Sequence, residues 1–275
     1  MSPMEEYKQQ LFPYVPSIET LSCGHLIPPD NLLVRTIASD RDGPLEFSFK
    51  ARSNPASAVR VGRTLLDLAP RVNGGLVVFF PSYAYLEEAT NSWRKQSTIE
   101  ELAKIKPIYT DSRTNPTEST FKSYSESIDK DERGAILLSV IGGKLSEGIN
   151  FSDDLGRCVV VIGLPFPNLE TPEWKAKMQY IDGKAAARGE PKGKAGREHA
   201  ENVCMRSVNQ AIGRVIRHKN DWASIILLDS RYAQKRIRGK LPGWIRTSLP
   251  DEEAAASMRV EKVMSDVSSF FCARS

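Results

Sequence analysis

A parallel α/β sheet with helices on both faces is the fold class this sequence predicts, and three observations predict it. Short apolar, β-branched runs recur along the chain. Helical patterns stand between them. Several runs are apolar at every position, as in Leu76-Val-Val-Phe-Phe80 and Cys158-Val-Val-Val-Ile162, and a strand without polar alternation is one covered on both faces. The order strand–helix–strand then joins the strands in parallel.

The strands predicted in order are Leu32–Ile37, Leu76–Phe80, Pro107–Tyr109, Ala135–Val140, Cys158–Ile162 and Ser224–Leu228. The helices predicted between them are Ala56–Leu68, Tyr83–Arg94, Thr117–Ile128, Pro172–Ile181 and Glu198–Arg217. Two stretches break the alternation. Asp182–Arg197 is rich in Gly, Ala, Lys and Arg without apolar period, which predicts a flexible basic loop. Glu252–Phe271 predicts a terminal amphipathic helix packed on the domain. No internal repeat is visible.

At 275 residues, 40% of them hydrophobic, the chain has the make-up of a soluble globular protein. No apolar run approaches the roughly 20 residues of a membrane helix, so no membrane is expected. Met1 to Gln10 is too polar and acidic for a signal peptide. Cys23, Cys158, Cys204 and Cys272 lie far apart without a CxxC pair. That argues against zinc or iron–sulfur ligation here, and for a reducing, intracellular compartment. The net charge is only +4, but Lys184–Lys219 holds nine Lys/Arg against three Glu, and Ser230–Pro250 holds six with no acid. Such clusters attract the phosphates of a nucleotide or a nucleic acid; a solvated basic surface reads the same way.

The segment Glu201–Arg217 carries most information. Wound at about 100° per residue, it places Cys204, Val208, Ala211, Ile212 and Val215 on a buried stripe. Gln210, Arg214 and Arg217 fall within about 60° of one another on the opposite side. Gly213 sits among them, where glycine costs ~1 kcal/mol relative to alanine, which points to close approach at the backbone. A polyphosphate suits two guanidiniums one turn apart, although spacing alone fits solvated arginines equally.

Two further segments follow strands. Gly142-Gly-Lys144-Leu-Ser146-Glu147-Gly148-Ile-Asn150-Phe151 brings glycines and polar groups to a strand's carboxyl end, where α/β sheets bind ligands. Gly74-Gly-Leu-Val-Val-Phe-Phe-Pro-Ser82-Tyr83-Ala-Tyr85 runs from a buried strand into a helix start, with Ser82 as a sensible N-cap. Either segment also reads as ordinary connection and packing.

The literal strings decide between these readings by resemblance. Gln210-Ala-Ile-Gly-Arg-Val-Ile-Arg217 resembles motif VI (QxxGRxxR) of superfamily-two helicases, Ser146-Glu-Gly-Ile-Asn-Phe151 resembles motif V of the XPD group, and Pro81-Ser-Tyr83 resembles its motif IV. Ser22–Asn31, Val161–Asn168 and Leu228–Tyr232 look like the chromosome-cohesion (ChlR-type) branch of the XPD-like iron–sulfur helicases. The resemblance covers about Met1 to Phe271 outside the 182–197 stretch. It implies a RecA-like fold, P-loop NTPase in type, forming one C-terminal motor domain over residues 1–275. By the same resemblance Arg214 and Arg217 are arginine fingers with Gln210 beside the nucleotide. Gly148, Asn150 and Gly213 lie near the nucleotide. Ser82, Tyr83, Lys144, Ser146 and Glu147 lie along DNA. Asn150 departs from the acid common in motif V, losing a charge and keeping a short acceptor.

No GxxxxGK[ST] sequence is present, so ATP and Mg²⁺ would be bound by a first motor domain of the same polypeptide, and a 4Fe–4S cluster carried elsewhere in the parent. Met1-Ser-Pro-Met4 resembles the end of the motif that closes that first domain. The resemblance further implies a nuclear, 5′→3′ DNA helicase acting on single-stranded or forked DNA in replication, repair or sister-chromatid cohesion, with factors of those processes as partners. No metal site is expected in this chain, and no ATPase from it alone. A non-catalytic nucleic-acid-binding or adaptor module is the alternative. Asp229 and Arg231 are expected to pair, and His25 to be an ordinary loop histidine.

Overall fold

The runs that are apolar at every position form the middle of one sheet. A computed structural model describes Lys8, Phe12 and residues 14–21, 27–114 and 116–274, apart from the Glu147 side chain; the expectations for Met1–Met4, Cys23 and His25 lie outside the described residues. Among the described residues the first strand is β1 (Leu32–Ile37), followed by a short hairpin, β2 (Ser39–Asp40) and β3 (Gly43–Pro44). Helices α1 (Phe49–Arg52) and α2 (Pro55–Leu68) lead to β4 (Leu76–Phe80). Then come α3 (Tyr83–Lys95), α4 (Thr98–Ile105), β5 (Ile108–Thr110), α5 (Thr117–Lys130), β6 (Ile136–Val140) and α6 (Lys144–Gly148). Next are β7 (Cys158–Ile162), α7 (Pro172–Ala186), α8 (Lys194–Ile212) and β8 (Ala223–Leu228). Four helices close the order: α9 (Lys235–Arg238), α10 (Gly243–Ser248), α11 (Glu252–Ala256) and α12 (Val260–Cys272).

The sheet runs β1-β8-β7-β4-β6-β5, and every pairing in it is parallel. Alternate side chains serve two cores. Leu76, Val78 and Phe80 of β4 pack with Val61 and Leu65 of α2, Leu86 and Trp93 of α3, and Val263 and Val267 of α12. Val77 and Phe79 pack on the other side with Tyr124 of α5 and Val208 and Ile212 of α8. That is why the central strands show no polar alternation. The buried aromatics keep their polar atoms bonded: Trp93 Nε1 donates to the Ala58 carbonyl at 2.7 Å and Tyr124 Oη to that of Leu155 at 2.7 Å. Helix α2 starts with Pro55 at its first position and Asn54 accepting the Ala56 N–H, a standard pairing of cap and proline.

Every predicted strand is present, with ends displaced by one residue at most. Four expectations about the connections are corrected. Helix α7 continues to Ala186 and α8 begins at Lys194, so only residues 187–193 form a loop where 182–197 was expected. The two helices meet through small and polar groups: the Gly196 N–H donates to Asp182 Oδ1 at 2.8 Å, and the Trp174 ring lies 5.9 Å from that of His199. A seam of that kind leaves no apolar period to read. The predicted terminal helix is two, α11 and α12, broken where Arg259 bridges to Ser39. The eight residues of α4, entered through Ser97 at φ 57°, form a helix that was not predicted. Finally, α8 stops at Ile212 with Gly213 as its C-cap, its N–H bonded to the Asn209 and Ala211 carbonyls. Arg214 and Arg217 therefore lie beyond the helix, and the shared helical face of Gln210, Arg214 and Arg217 does not exist.

Among the described residues no helix is long and apolar enough to cross a membrane. Cys158 and Cys204 are buried, and burial pushes each thiol up to about 12. Both sit among apolar side chains, Cys158 in one core and Cys204 in the other.

Candidate nucleotide and nucleic-acid interface

A parallel sheet has two chemically distinct ends, and the candidate residues divide between them. At the carboxyl ends of β4, β5 and β6, the chain turns at Ser82, Asp111 and Gly142. Ser82 Oγ accepts the Tyr85 N–H at 3.2 Å and starts α3. Tyr83 Oη donates to Asp111 Oδ2 at 3.2 Å, and Ser139 Oγ donates to the same oxygen at 3.2 Å. Asp111 is buried, and burial raises its carboxyl pKa while these two hydrogen bonds oppose the rise. The Tyr83 hydroxyl is raised as well, first by burial and then by the Asp111 charge, while the Lys144 backbone N–H donates to it. Its ring lies under the Arg113 guanidinium, 5.1 Å from the centroid.

Gly143 makes this junction possible. A Cβ there would stand 2.7 Å from Tyr83 Oη and 2.9 Å from the Val140 carbonyl, so only glycine lets the two turns meet. The Lys144 side chain points to solvent. Ser146 does not: it is buried, and its hydroxyl donates to the Gly143 carbonyl at 2.9 Å. In this structure the hydroxyl serves a bond inside the turn. The Glu147 side chain lies outside the described residues. Asp111 and Arg113 are the residues that sequence reasoning missed, although Thr110-Asp-Ser-Arg113 directly after a strand is a signal of the same kind as the others.

The segment after α6 crosses to the amino ends of β7 and β8, and there it is fastened to the turn after α8. Phe151 N–H donates to the Arg214 carbonyl at 3.0 Å. Arg214 Nη1 returns a long contact of 3.4 Å to the Ile149 carbonyl, Arg217 Nη2 donates to Asn150 Oδ1, and His218 Nε2 meets Asp153 Oδ1 at 2.9 Å. A neutral acceptor suffices at Asn150 because this pair is exposed. The fold thus brings Asn150, Arg214 and Arg217 together although no helix does. Gln210 is exposed one turn away on α8. Gly148 is exposed too, and a Cβ on it would meet nothing within 4 Å, so the fold itself does not demand glycine there. At Gly213 a Cβ would stand 3.0 Å from the Asn209 carbonyl oxygen, a tight contact within its own helix end.

Behind the turn, Asp221 is buried and anchors it. It accepts the Arg217 N–H at 3.2 Å and the Arg157 guanidinium at 2.9 Å. Asp153, His218 and Asp221 bring ligand atoms within 4.8 Å of one another, but each is already held by these ion pairs and hydrogen bonds. Asp229 and Arg231 pair as expected, at 2.8 Å.

The family profile described as the helicase C-terminal domain matches residues 65–248, which include both ends of the sheet just described. The chain belongs to the helicase C-terminal domain family. This helicase C-terminal domain is 45% identical over 269 residues to an Aspergillus clavatus protein named ATP-dependent DNA helicase chl1, covering 90% of this chain and 37% of that protein. A Debaryomyces hansenii protein of the same name is 44% identical over 255 residues, covering 90% and 31%. The chain spans about a third of the length of these curated relatives. Among solved structures, "XPD_Helicase" superposes with a TM-score of 0.54 at 23% identity, covering 76% of this chain and 33% of that one. "Structure of S. tokodaii Xpd4" gives 0.53 at 16%, covering 80% and 38%. The fold of the helicase C-terminal domain is therefore RecA-like, and it carries no phosphate-cradling P-loop. At the amino end of the sheet the exposed groups are Arg217, Gln210 and the backbone at Gly148, with Arg214 half-buried beside them.

Proposed function

We propose that this domain is the second motor of an ATP-dependent DNA helicase, presenting Arg214 and Arg217 to ATP held by a first motor domain and carrying part of the single-stranded DNA track. The observation that supports it best is the clasp between residues 149–153 and 214–218, which holds two arginines beside the open Gly148 at one end of the sheet. The relatives' printed names agree with it. When bound, ATP supplies the phosphoanhydride whose cleavage drives the cycle, with Mg²⁺ held by the first domain. Arg214 and Arg217 stabilise charge developing on the γ-phosphate, and Gln210 donates a hydrogen bond beside it. At the other end of the sheet, the exposed Lys144 and the braced Tyr83 take the strand's phosphates and bases. The α6 segment joins the two ends, so a shift at the nucleotide moves the DNA contact. The same reading extends to a nuclear 5′→3′ enzyme of replication, repair or cohesion, with its 4Fe–4S cluster in another domain.

Two measurements test this. The isolated chain should hydrolyse no ATP above background with or without single-stranded DNA; robust DNA-stimulated turnover would sink the half-site reading. In the complete helicase, Lys144→Ala should weaken single-strand binding and lower the slope of log affinity against log salt by about 0.7, one phosphate contact. An unchanged slope would remove Lys144 from the track.

A further inference from the structure

Arg52 closes α1 at the carboxyl edge of the sheet, in the corner between β8 and the start of α3. Its guanidinium lies 5.6 Å from the centroid of the Tyr85 ring. Three hydrogen bonds hold the corner rigid. Tyr85 Oη donates to Ser57 Oγ at 3.0 Å, Ser57 Oγ donates to the Arg52 carbonyl at 3.3 Å, and the Phe47 N–H donates to Asp229 Oδ2 at 2.8 Å. Yet Arg52 Nε is buried without a hydrogen-bond partner.

Asp229 is the natural partner, and it is saturated. Its Oδ1 accepts the Arg231 N–H at 2.9 Å and Arg231 Nε at 2.8 Å, and its Oδ2 accepts Arg231 Nη2 at 2.8 Å besides the Phe47 N–H. Four bonds fill a carboxylate's lone-pair sites. Burial, and then the neighbouring Arg231 charge, lower the Arg52 pKa, against the opposing charges of Tyr85, Asp229 and Glu88. The group stays a cation. Only Nε is buried without an acceptor, while the side chain as a whole is partly exposed, so the outer part of its cationic fork can take an anion from the solvent side. Around it, Lys50 is exposed, Phe49 is 84% exposed and the N-terminus of α3 faces the same edge.

We propose that Arg52 is a phosphate anchor for the nucleic-acid strand, extending the track from Lys144 and Tyr83 across the α3 N-terminus toward β8. The proposal rests on the reading of the carboxyl edge as a nucleic-acid surface. The guanidinium fork matches two phosphate oxygens, the helix N-terminus favours the same charge, and Phe49 offers a face on which a base can stack.

The test is anisotropy of labelled oligothymidylate with the 275-residue chain across a salt series, for the unaltered chain, Arg52→Gln, Arg52→Lys and Lys144→Ala, with thermal unfolding of each. Arg52→Gln should weaken binding about tenfold and flatten the salt slope by about 0.7. Arg52→Lys should keep the slope but recover only part of the affinity. Neither should lower Tm by more than about 3 °C, since no hydrogen bond of the side chain is lost and only the ring contact with Tyr85 changes. If Lys144→Ala weakens binding and Arg52→Gln does not, the anchor is wrong while the edge reading stands; if the unaltered chain does not bind, both fall. A Tm drop beyond about 5 °C in both Arg52 variants would make the residue structural and overturn the proposal. Calorimetry with pyrophosphate and ADP separates the sources of phosphate. Loss of their binding in Arg52→Gln, with oligothymidylate binding intact, would assign Arg52 to a nucleotide instead and also overturn it.

Discussion

Arg214→Ala in the complete helicase should cut DNA-stimulated ATP turnover by about 10³–10⁵-fold, the span an arginine finger supplies, and leave single-strand affinity within about twofold. The two effects separate because Arg214 stands at the amino end of the sheet, whereas Tyr83 and Lys144 stand at the carboxyl end. Five-residue strands put the ends about 17 Å apart. Arg214 is half-buried and uses one N–H in a long contact to Ile149, so most of its fork remains free for phosphate oxygens. Arg214→Lys should rescue little, because a point charge cannot span two oxygens in a plane. Steady-state hydrolysis and anisotropy on the same preparations check this. A loss of turnover under tenfold, or an equal loss of DNA binding, would remove Arg214 from the γ-phosphate.

How much of this was legible in the sequence differs by residue. The sheet was, because Leu76–Phe80 and Cys158–Ile162 are apolar throughout, five residues long and have Gly or Pro close to both ends, which suits strands covered on both faces. The end of α8 was not. Val215 and Ile216 are buried beyond it, so the apolar stripe runs on through the turn and hides the stop at Gly213. Spacing put Arg214 and Arg217 on one helical face and resemblance gave them their role; in the fold, long-range bonds to Ile149 and Asn150 hold them instead of a helix. That Ser146 closes its own turn was not legible either, because hydroxyls look alike whether they face solvent or close a turn. Asp111 and Arg113 escaped because their strand, Ile108–Thr110, is only three residues long. The lone guanidinium of Arg52 depends on how Arg231 fills Asp229, some 180 residues away from Phe47 in the chain, and no local pattern encodes that.

Asp221→Ala should lower stability by about 3–5 kcal/mol, the cost of leaving one member of a buried ion pair alone, which for a domain of this size is a Tm drop of about 10 °C. The Asp221 side chain is 1% exposed and that of Arg157 9% exposed. Oδ1 accepts Arg157 Nη1 and the Trp222 N–H, both at 2.9 Å, and Oδ2 accepts the Arg217 N–H at 3.2 Å. Without the carboxylate, Arg157 keeps the Trp222 carbonyl at 2.9 Å, the Trp222 ring at 4.4 Å and the exposed Asp154. Its charge is no longer balanced inside the protein. If that imbalance is the cause, Asp221→Ala combined with Arg157→Met should be clearly more stable than Asp221→Ala alone, since removing both charges avoids the penalty of removing one. The double variant should still hydrolyse ATP poorly in the complete helicase, because the Arg217 N–H has lost its acceptor and the turn bearing both arginines is loosened. Thermal unfolding of the two variants and of Arg157→Met, with turnover measured beside it, resolves the two roles. A Tm within about 2 °C of the unaltered chain would show the pair to be idle. A double variant with full turnover would show that Asp221 stabilises the fold without positioning Arg217.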